Sequence, residues 1–414
     1  MKYLPIILFS ALLFHITNIN AQNSIGFGLE NGAKRVSLSF KSESNLMIVP
    51  IKINEQGPFN FILDTGSESG MIFDKLIIGE NNLVNARTIP IYAADGNKVT
   101  DLWVANDIRV NFAGVHGKDQ SMLVLQNNFV DIKNVLGVEA HGILGSEIFN
   151  RFVVDIDYSE RRINLTHPED FKRPKKYKKI PITIENFRPY VNVTVKQKGE
   201  KAITVKLLID TGASSALFLD AGSNDDIVLP ERTLEHTIGR GLAGIVKGKI
   251  GRVKKVRLGK YKFKKVLTSY PDNWGLSKPD TERKKEDIRY GTIGSDILSK
   301  FHVIFNYNEG YMYLMPNSNF RERFKFNTVG MNVMAFGERL NEYYVNDIIA
   351  GSPAEKAGLE IGDEIIAMNN NPAFFYKLDE VVSVLKRSPG ERLKLIIRRD
   401  GELKQFNLKH KRLL

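Results

Sequence analysis

The 414-residue chain is 43% hydrophobic and 26% charged, a globular composition with room for two to four domains that excludes disordered and collagen-like classes. It has no cysteine, which excludes a disulfide framework, a zinc ribbon, an iron–sulfur cluster and a thiol nucleophile, and its seven histidines form no metal-ligand motif, so neither metal nor cofactor is expected. The net charge of +12 owes much to Lys247 to Lys265, where ten Lys or Arg mostly alternate with apolar residues as in strands with one solvated face, so nucleic acid is not an expected partner.

In chain order, Lys2 followed by the apolar run Leu4 to Phe14 and by Ile19-Asn20-Ala21 reads as a secretory signal peptide over 1–21, the run being too short to span a bilayer of ~30 Å. The mature chain is therefore expected to be exported, periplasmic or secreted, and soluble after cleavage. Beyond the leader, the chain is organised by an internal repeat. Phe61-Ile62-Leu63-Asp64-Thr65-Gly66-Ser67 returns as Leu207-Leu208-Ile209-Asp210-Thr211-Gly212-Ala213. Gly142-Ile143-Leu144-Gly145-Ser146-Glu147-Ile148 returns as Gly291-Thr292-Ile293-Gly294-Ser295-Asp296-Ile297, spaced 78 and 81 residues from its aspartate. Phe152 to Tyr158 then matches Phe301 to Tyr307, and the upstream strand Leu46 to Ile53 matches Tyr190 to Lys196. A period this long marks a duplicated domain and not a solenoid. The repeat divides this part of the chain into one lobe at 22–168, a Pro- and Lys-rich linker at 169–180 and a second lobe at 181–318. Short alternating runs separated by Gly, Asn, Asp and Pro make each lobe β. Short helices are expected at Ser146 to Arg151 and Ser295 to Lys300, each capped by its serine.

Each copy places an aspartate directly after three apolar residues and before Thr-Gly, putting a carboxylate at the end of a buried strand on a tight turn. An isolated charge there is costly. Two such loops facing each other across a pseudo-twofold axis bring two carboxylates together, and like charges at that distance cannot both ionise. These paired motifs resemble the pepsin and retropepsin-like aspartic proteases over about residues 47–315. The resemblance implies a bilobal exported endopeptidase in which Asp64 and Asp210 share a proton and activate a water without a cofactor. It makes Thr65 and Thr211 braces between the loops. Gly66, Ser67, Gly212 and Ala213 complete the loops, and the glycine motifs with Gly145 and Gly294 support them from beneath. The substrate is a peptide or protein, and a single chain supplies both carboxylates, so a monomer is expected. The rival reading is a peptide-binding protein that keeps the cleft without turnover. Ser67 can donate a hydrogen bond to its aspartate where Ala213 cannot, which predicts an activity optimum between strongly acidic and neutral pH.

The resemblance also implies a flap. Tyr92 with Asp95-Gly96, a hairpin-turn signal, fits it in the first lobe, and Gly239 and Gly241 lie at the matching place in the second. The latter belong to a Gly-x-Gly-x-x-Gly run, but strand-like residues come after it and no acid follows it until Asp272, which argues against dinucleotide binding.

Past Ser318 the pattern changes, and a third domain is expected at 326–414. Gly351-Ser352-Pro353-Ala354-Glu355-Lys356-Ala357-Gly358-Leu359 is a capped short helix, Gly362-Asp363-Glu364-Ile365 a turn into a strand, and Leu378 to Leu385 a helix by its apolar spacing. The series resembles a bacterial PDZ domain of the HtrA-protease kind over about residues 328–408. That implies a peptide ligand added to a sheet edge, with Gly330 and Met331 near its carboxylate loop and Leu378, Val381 and Val382 along the groove helix, and it gives the domain a role in recruiting or regulating substrate. The overall expectation is a mainly β chain, two homologous lobes followed by a PDZ domain.

Overall fold

The computed structural model describes residues 26–79, 83, 86–92, 98–126, 132–241, 244–272 and 290–414. The expected leader at 1–21 and the hairpin tip at 93–97 lie outside them. Among the described residues no helix is long and apolar enough to cross a membrane.

The chain is mainly β. In the first lobe, strand Leu46–Ile53 turns at Asn54 and Glu55, both in the left-handed region, and returns as Gln56–Leu63 with Ile48 opposite Ile62. The later strand Gly142–Leu144 threads in parallel beside it, pairing Gly142 with Phe61 and Leu144 with Leu63. Glycine is required at 142 because a Cβ would stand 2.2 Å from the Met71 carbonyl oxygen. The second lobe repeats the arrangement. Arg188–Lys196 pairs with Ala202–Asp210, and Gly291–Gly294 runs parallel to the latter, Asp210 opposite Gly294. In both lobes a strand from the far end of the repeat thus lies beside the aspartate-bearing one, and the Asp64 amide donates to the Leu144 carbonyl at 2.9 Å.

The two lobes join through one six-stranded sheet, ordered Lys178–Pro181, Tyr311–Pro316, Phe301–Asn306, Val153–Asp157, Arg162–Thr166, Arg35–Ser39. Its central pair, Val153–Asp157 with Phe301–Asn306, is the repeated Phe152 and Phe301 segment meeting its own copy antiparallel. Lys178–Pro181, at the end of the connecting segment, forms an edge strand of this sheet. One continuous apolar core runs through both lobes. The basic stretch lies in the hairpin Gly244–Leu258 and Tyr261–Pro271, where Val256, Leu258, Tyr261 and Phe263 are buried while Lys254, Arg257, Lys262 and Lys264 are exposed or partly so.

Helices are short: α1 (Ile132–Leu136), α2 (Ser146–Arg151), α3 (Ser295–Leu298), α4 (Pro353–Ala357) and α5 (Leu378–Leu385). The C-terminal domain has its own core and a sheet ordered Met331–Phe336, Glu342–Ile348, Glu364–Met368, Arg392–Arg399, Glu402–Lys409. As expected, Ser352 caps α4, accepting from the Glu355 amide, and Gly358 ends it in the left-handed conformation. The serines at the starts of α2 and α3 do not cap. The cap positions are Gly145 and Gly294, and the serine hydroxyls are used elsewhere.

Candidate active site

The two aspartate loops interlock through their threonines. The Thr65 amide donates to Thr211 Oγ1 and the Thr211 amide to Thr65 Oγ1, both at 3.0 Å. Each hydroxyl in turn donates across the interface, Thr65 to the Ile209 carbonyl at 2.7 Å and Thr211 to the Leu63 carbonyl at 2.9 Å. Both threonines are fully buried, so four bonds without water competition fix one loop against the other.

That grip sets the carboxylates face to face. Asp64 Oδ1 accepts from the amides of Gly66 at 2.7 Å and of Gly212, in the other lobe, at 3.1 Å, while Asp210 Oδ1 accepts from Gly212 at 2.8 Å. A Cβ on Gly212 would lie 2.4 Å from Asp64 Cγ, and one on Gly66 would lie 2.7 Å from Asp210 Cγ. Each carboxylate is therefore packed against the glycine of the opposite loop. Burial, then the Asp210 charge, pushes the Asp64 carboxyl well above the usual carboxylate range, although the glycine amides pull it down. A pair holding one proton at pH values where an exposed pair is doubly ionised can offer a base and an acid together.

The segments after Gly145 and Gly294 contact the aspartate loops. The Ser146 hydroxyl donates to the Glu68 carbonyl at 2.6 Å and the Ser295 hydroxyl to the Thr211 carbonyl at 3.0 Å. These serines hold loop backbone and so cannot serve as helix caps. Ser67 also departs from expectation: its hydroxyl donates to the Ser69 carbonyl at 2.8 Å, a local turn bond, and is not directed to Asp64.

Residues at the start of the strands Leu46–Ile53 and Arg188–Lys196 also reach the other lobe's loop. Asn45 Nδ2 donates to the Ser214 carbonyl at 3.3 Å, and Arg188 pairs with Glu68 at 2.7 Å. Beneath the Asp64 loop, burial raises the Glu147 carboxyl to about 7, against the pull of the amides of Glu147, Gly145 and Gly70. Asp296, its counterpart in the second lobe, is raised by burial too. Burial and the nearby Asp64 charge keep the Tyr307 phenol neutral. Glu147, Asp296 and Tyr307 all stood in the repeated segments, but nothing in a linear sequence says that a matched acid or phenol lies close to the carboxylate loops.

Tyr92 ends the strand Arg87–Tyr92, while Asp95 and Gly96 lie outside the described residues. Gly239 and Gly241 belong to the strand Leu234–Gly241, which pairs with Gly244–Leu258, so the Gly-x-Gly-x-x-Gly run is a hairpin with a strand and no helix after it. In the C-terminal domain Gly330 packs on Ser352, whose Cβ a side chain at 330 would meet at 2.1 Å. Met331 opens the edge strand Met331–Phe336, against which α5 packs. Leu378 and Val381 belong to the domain's core, and Val382 is only partly buried.

A family model described as aspartyl protease matches residues 49–148 and 191–297, together half of the chain. The chain belongs to the aspartyl protease family. Both matched segments carry one Asp-Thr-Gly loop and its glycine motif, so the interlocked loops are built from equivalent parts of the aspartyl protease repeat. A second model, a PDZ domain, matches residues 344–399. Over 65 residues the chain is 40% identical to the 26S proteasome non-ATPase regulatory subunit 9 of Rattus norvegicus, covering 16% of this chain and 29% of that protein's length. Among solved structures it resembles the photosystem II D1 C-terminal processing protease at 22% identity and TM-score 0.20, covering 20% of this chain and 23% of the other.

Proposed function

We propose that the chain is an aspartic endopeptidase whose catalytic residues are Asp64 and Asp210. The observation that supports this reading best is the reciprocal threonine grip, which holds two carboxylates against each other with Asp64 raised by burial and by its partner's charge. In the proposed cycle the ionised carboxylate takes a proton from a water lying between the pair. The protonated one gives its proton to the carbonyl oxygen of the peptide bond. The water oxygen bonds to the carbonyl carbon; as the C–N bond of the tetrahedral adduct breaks, the amine takes the proton that the ionised carboxylate gained from the water, and the other carboxylate takes one from an adduct hydroxyl, which restores the singly protonated pair. Thr65, Thr211, Gly66 and Gly212 position the pair. The C-terminal domain recruits or regulates substrate, one chain forms the whole site, and the leader-like run at 1–21 supports export, which cell fractionation tests.

Digestion of a peptide library by the wild type, Asp64→Asn and Asp210→Asn decides the reading. Because the two carboxylates act as a unit, each substitution is expected to lower the rate by at least about 10³-fold, nearly as much as both together. Near-normal cleavage by either variant would sink the assignment.

A further inference from the structure

The groove of the C-terminal domain is bounded by the edge strand Met331–Phe336 and by α5. A peptide ligand of such a domain adds as a further strand to that edge. Here the edge strand pairs with Glu342–Ile348 on one side, and α1 of the first lobe packs against it. Gly137, just past α1, presses on the first residue of α5: a Cβ there would lie 2.5 Å from Leu378 Cβ. Asp379, the next residue of α5, accepts the Ser44 amide at 2.9 Å and the Ser44 hydroxyl at 3.1 Å.

The same domain is held by the second lobe. Asn332 of the edge strand meets His236 Nε2 at 3.0 Å, and Asp347 of the neighbouring strand meets His236 Nδ1 at 3.0 Å. His236 stands on Leu234–Gly241, a strand of the hairpin expected to form the second flap. Ser44, held by Asp379, directly precedes Asn45, which bonds Ser214 beside the Asp210 loop. A chain of contacts therefore runs from α5 through one tight turn to that loop.

We propose that the peptide groove of the C-terminal domain is closed in cis by the segment Ile132 to Gly137 of the first lobe. Groove ligand and α1 then compete for one edge. A peptide that adds to the strand displaces α1 and Gly137, and with them the Ser44 contact to Asp379, so ligand binding is coupled to the turn that touches the Asp210 loop. The competition rests on the contacts alone. Its consequence for cleavage rests on the endopeptidase reading.

The absence of native cysteine permits a clean test. In full-length chain carrying Asp64→Asn, so that probes are not cleaved, Ser44→Cys with Asp379→Cys allows a disulfide to lock the contact under oxidant and to release it under reductant. The probe is an immobilised decapeptide library with free C-termini. The reduced chain is expected to capture peptides with an apparent affinity at least about tenfold tighter than the oxidised chain, since a closed groove lowers affinity by its open fraction. Equal capture by both forms, capture by neither, or two cysteines that stay apart under oxidant would each overturn the proposal. Hydrolysis does not enter the readout, so failure here is distinct from failure of the peptidase reading, which the aspartate variants decide.

Discussion

Replacing Thr65 by valine tests the grip with almost no change of volume. Thr65 is fully buried, and its hydroxyl makes two of the four threonine bonds between the loops, one donated to the Ile209 carbonyl and one accepted from the Thr211 amide. Valine fills the space and leaves both partners facing a methyl group. A buried group stripped of its partner costs about 1–3 kcal/mol, so Thr65→Val is expected to lose about 2–6 kcal/mol, a large share of the ~5–15 kcal/mol that holds an ordinary domain folded. Thr211→Val removes the other two bonds and is expected to cost a similar amount. No bond is common to the two hydroxyls, so the double variant would be additive in a rigid structure. Relaxation of the freed loops is expected to make it less than additive. Thr65→Ser keeps the hydroxyl and is expected to stay within about 1.5 kcal/mol of wild type. The assay is urea unfolding by tryptophan fluorescence, which follows the lobes because the two tryptophans, Trp103 and Trp274, both fall outside the C-terminal domain. If Thr65→Val unfolds within about 0.5 kcal/mol of wild type at unchanged slope, the Thr65 hydroxyl bonds do not stabilise the fold.

Other substitutions probe different parts of the site. Gly212→Ala places a methyl 2.4 Å from Asp64 Cγ; it is expected to fold, to displace the carboxyl and to lower kcat by at least about 10²-fold, checked by kinetics beside a circular dichroism melt. Glu147→Gln tests burial beneath the Asp64 loop. With a folded value of about 7 against an ordinary 4.5, the native state keeps its proton while the unfolded chain loses it, so this residue's contribution is full below about 4.5 and lost as pH rises through 7. The shift corresponds to roughly 3 kcal/mol, so the stability of Glu147→Gln relative to wild type is expected to rise by about that much between pH 4 and pH 8, and unfolding curves that keep a constant separation would refute it.

Much of this architecture was legible because a repeat carries its own control. One Asp-Thr-Gly is an ordinary turn signal. Two, each with the same apolar lead-in and the same distant glycine motif, required two equivalent lobes, and Phe152 with Phe301 marked the strands that meet between them. The threonine bonds are reached from the sequence only through family resemblance, because which hydroxyl meets which carbonyl depends on how two loops 146 residues apart come together. The serine of each glycine motif resembles a cap for the same reason: local pattern favours a cap, but the acceptor it meets belongs to a loop distant in sequence. Contacts between the third domain and the lobes left no trace in the sequence. Ser44 and Asp379 are polar residues at a turn and on a short helix, and neither spacing nor composition relates them.

On the endopeptidase reading, the pH dependence of cleavage is expected to be set by the pair itself and not by Ser67. The sequence suggested that a hydroxyl donating to the aspartate after one Asp-Thr-Gly, and its absence after the other, would place the activity optimum between strongly acidic and neutral pH. In the folded chain the Ser67 hydroxyl is engaged by the Ser69 carbonyl, so its removal leaves the Asp64 environment unchanged to first order. What raises Asp64 is burial followed by the Asp210 charge, and these persist in Ser67→Ala. On that reading the shared proton is expected to be retained, as pH rises, beyond the usual carboxylate range, and activity is expected to be lost when it leaves, since the pair then lacks its acid. The basic limb of kcat/KM is therefore expected above the ordinary carboxylate value, and the profiles of wild type and Ser67→Ala are expected to superimpose. By the same logic Asp210→Asn removes the charge that holds the proton on Asp64, so the Asp64 carboxyl should titrate lower in that variant, which NMR of the labelled aspartate measures without any need for turnover. A basic limb that moves with Ser67→Ala would return the hydroxyl to the mechanism. An Asp64 value unmoved by Asp210→Asn would leave burial alone as the cause, and the two carboxylates would not be sharing a proton.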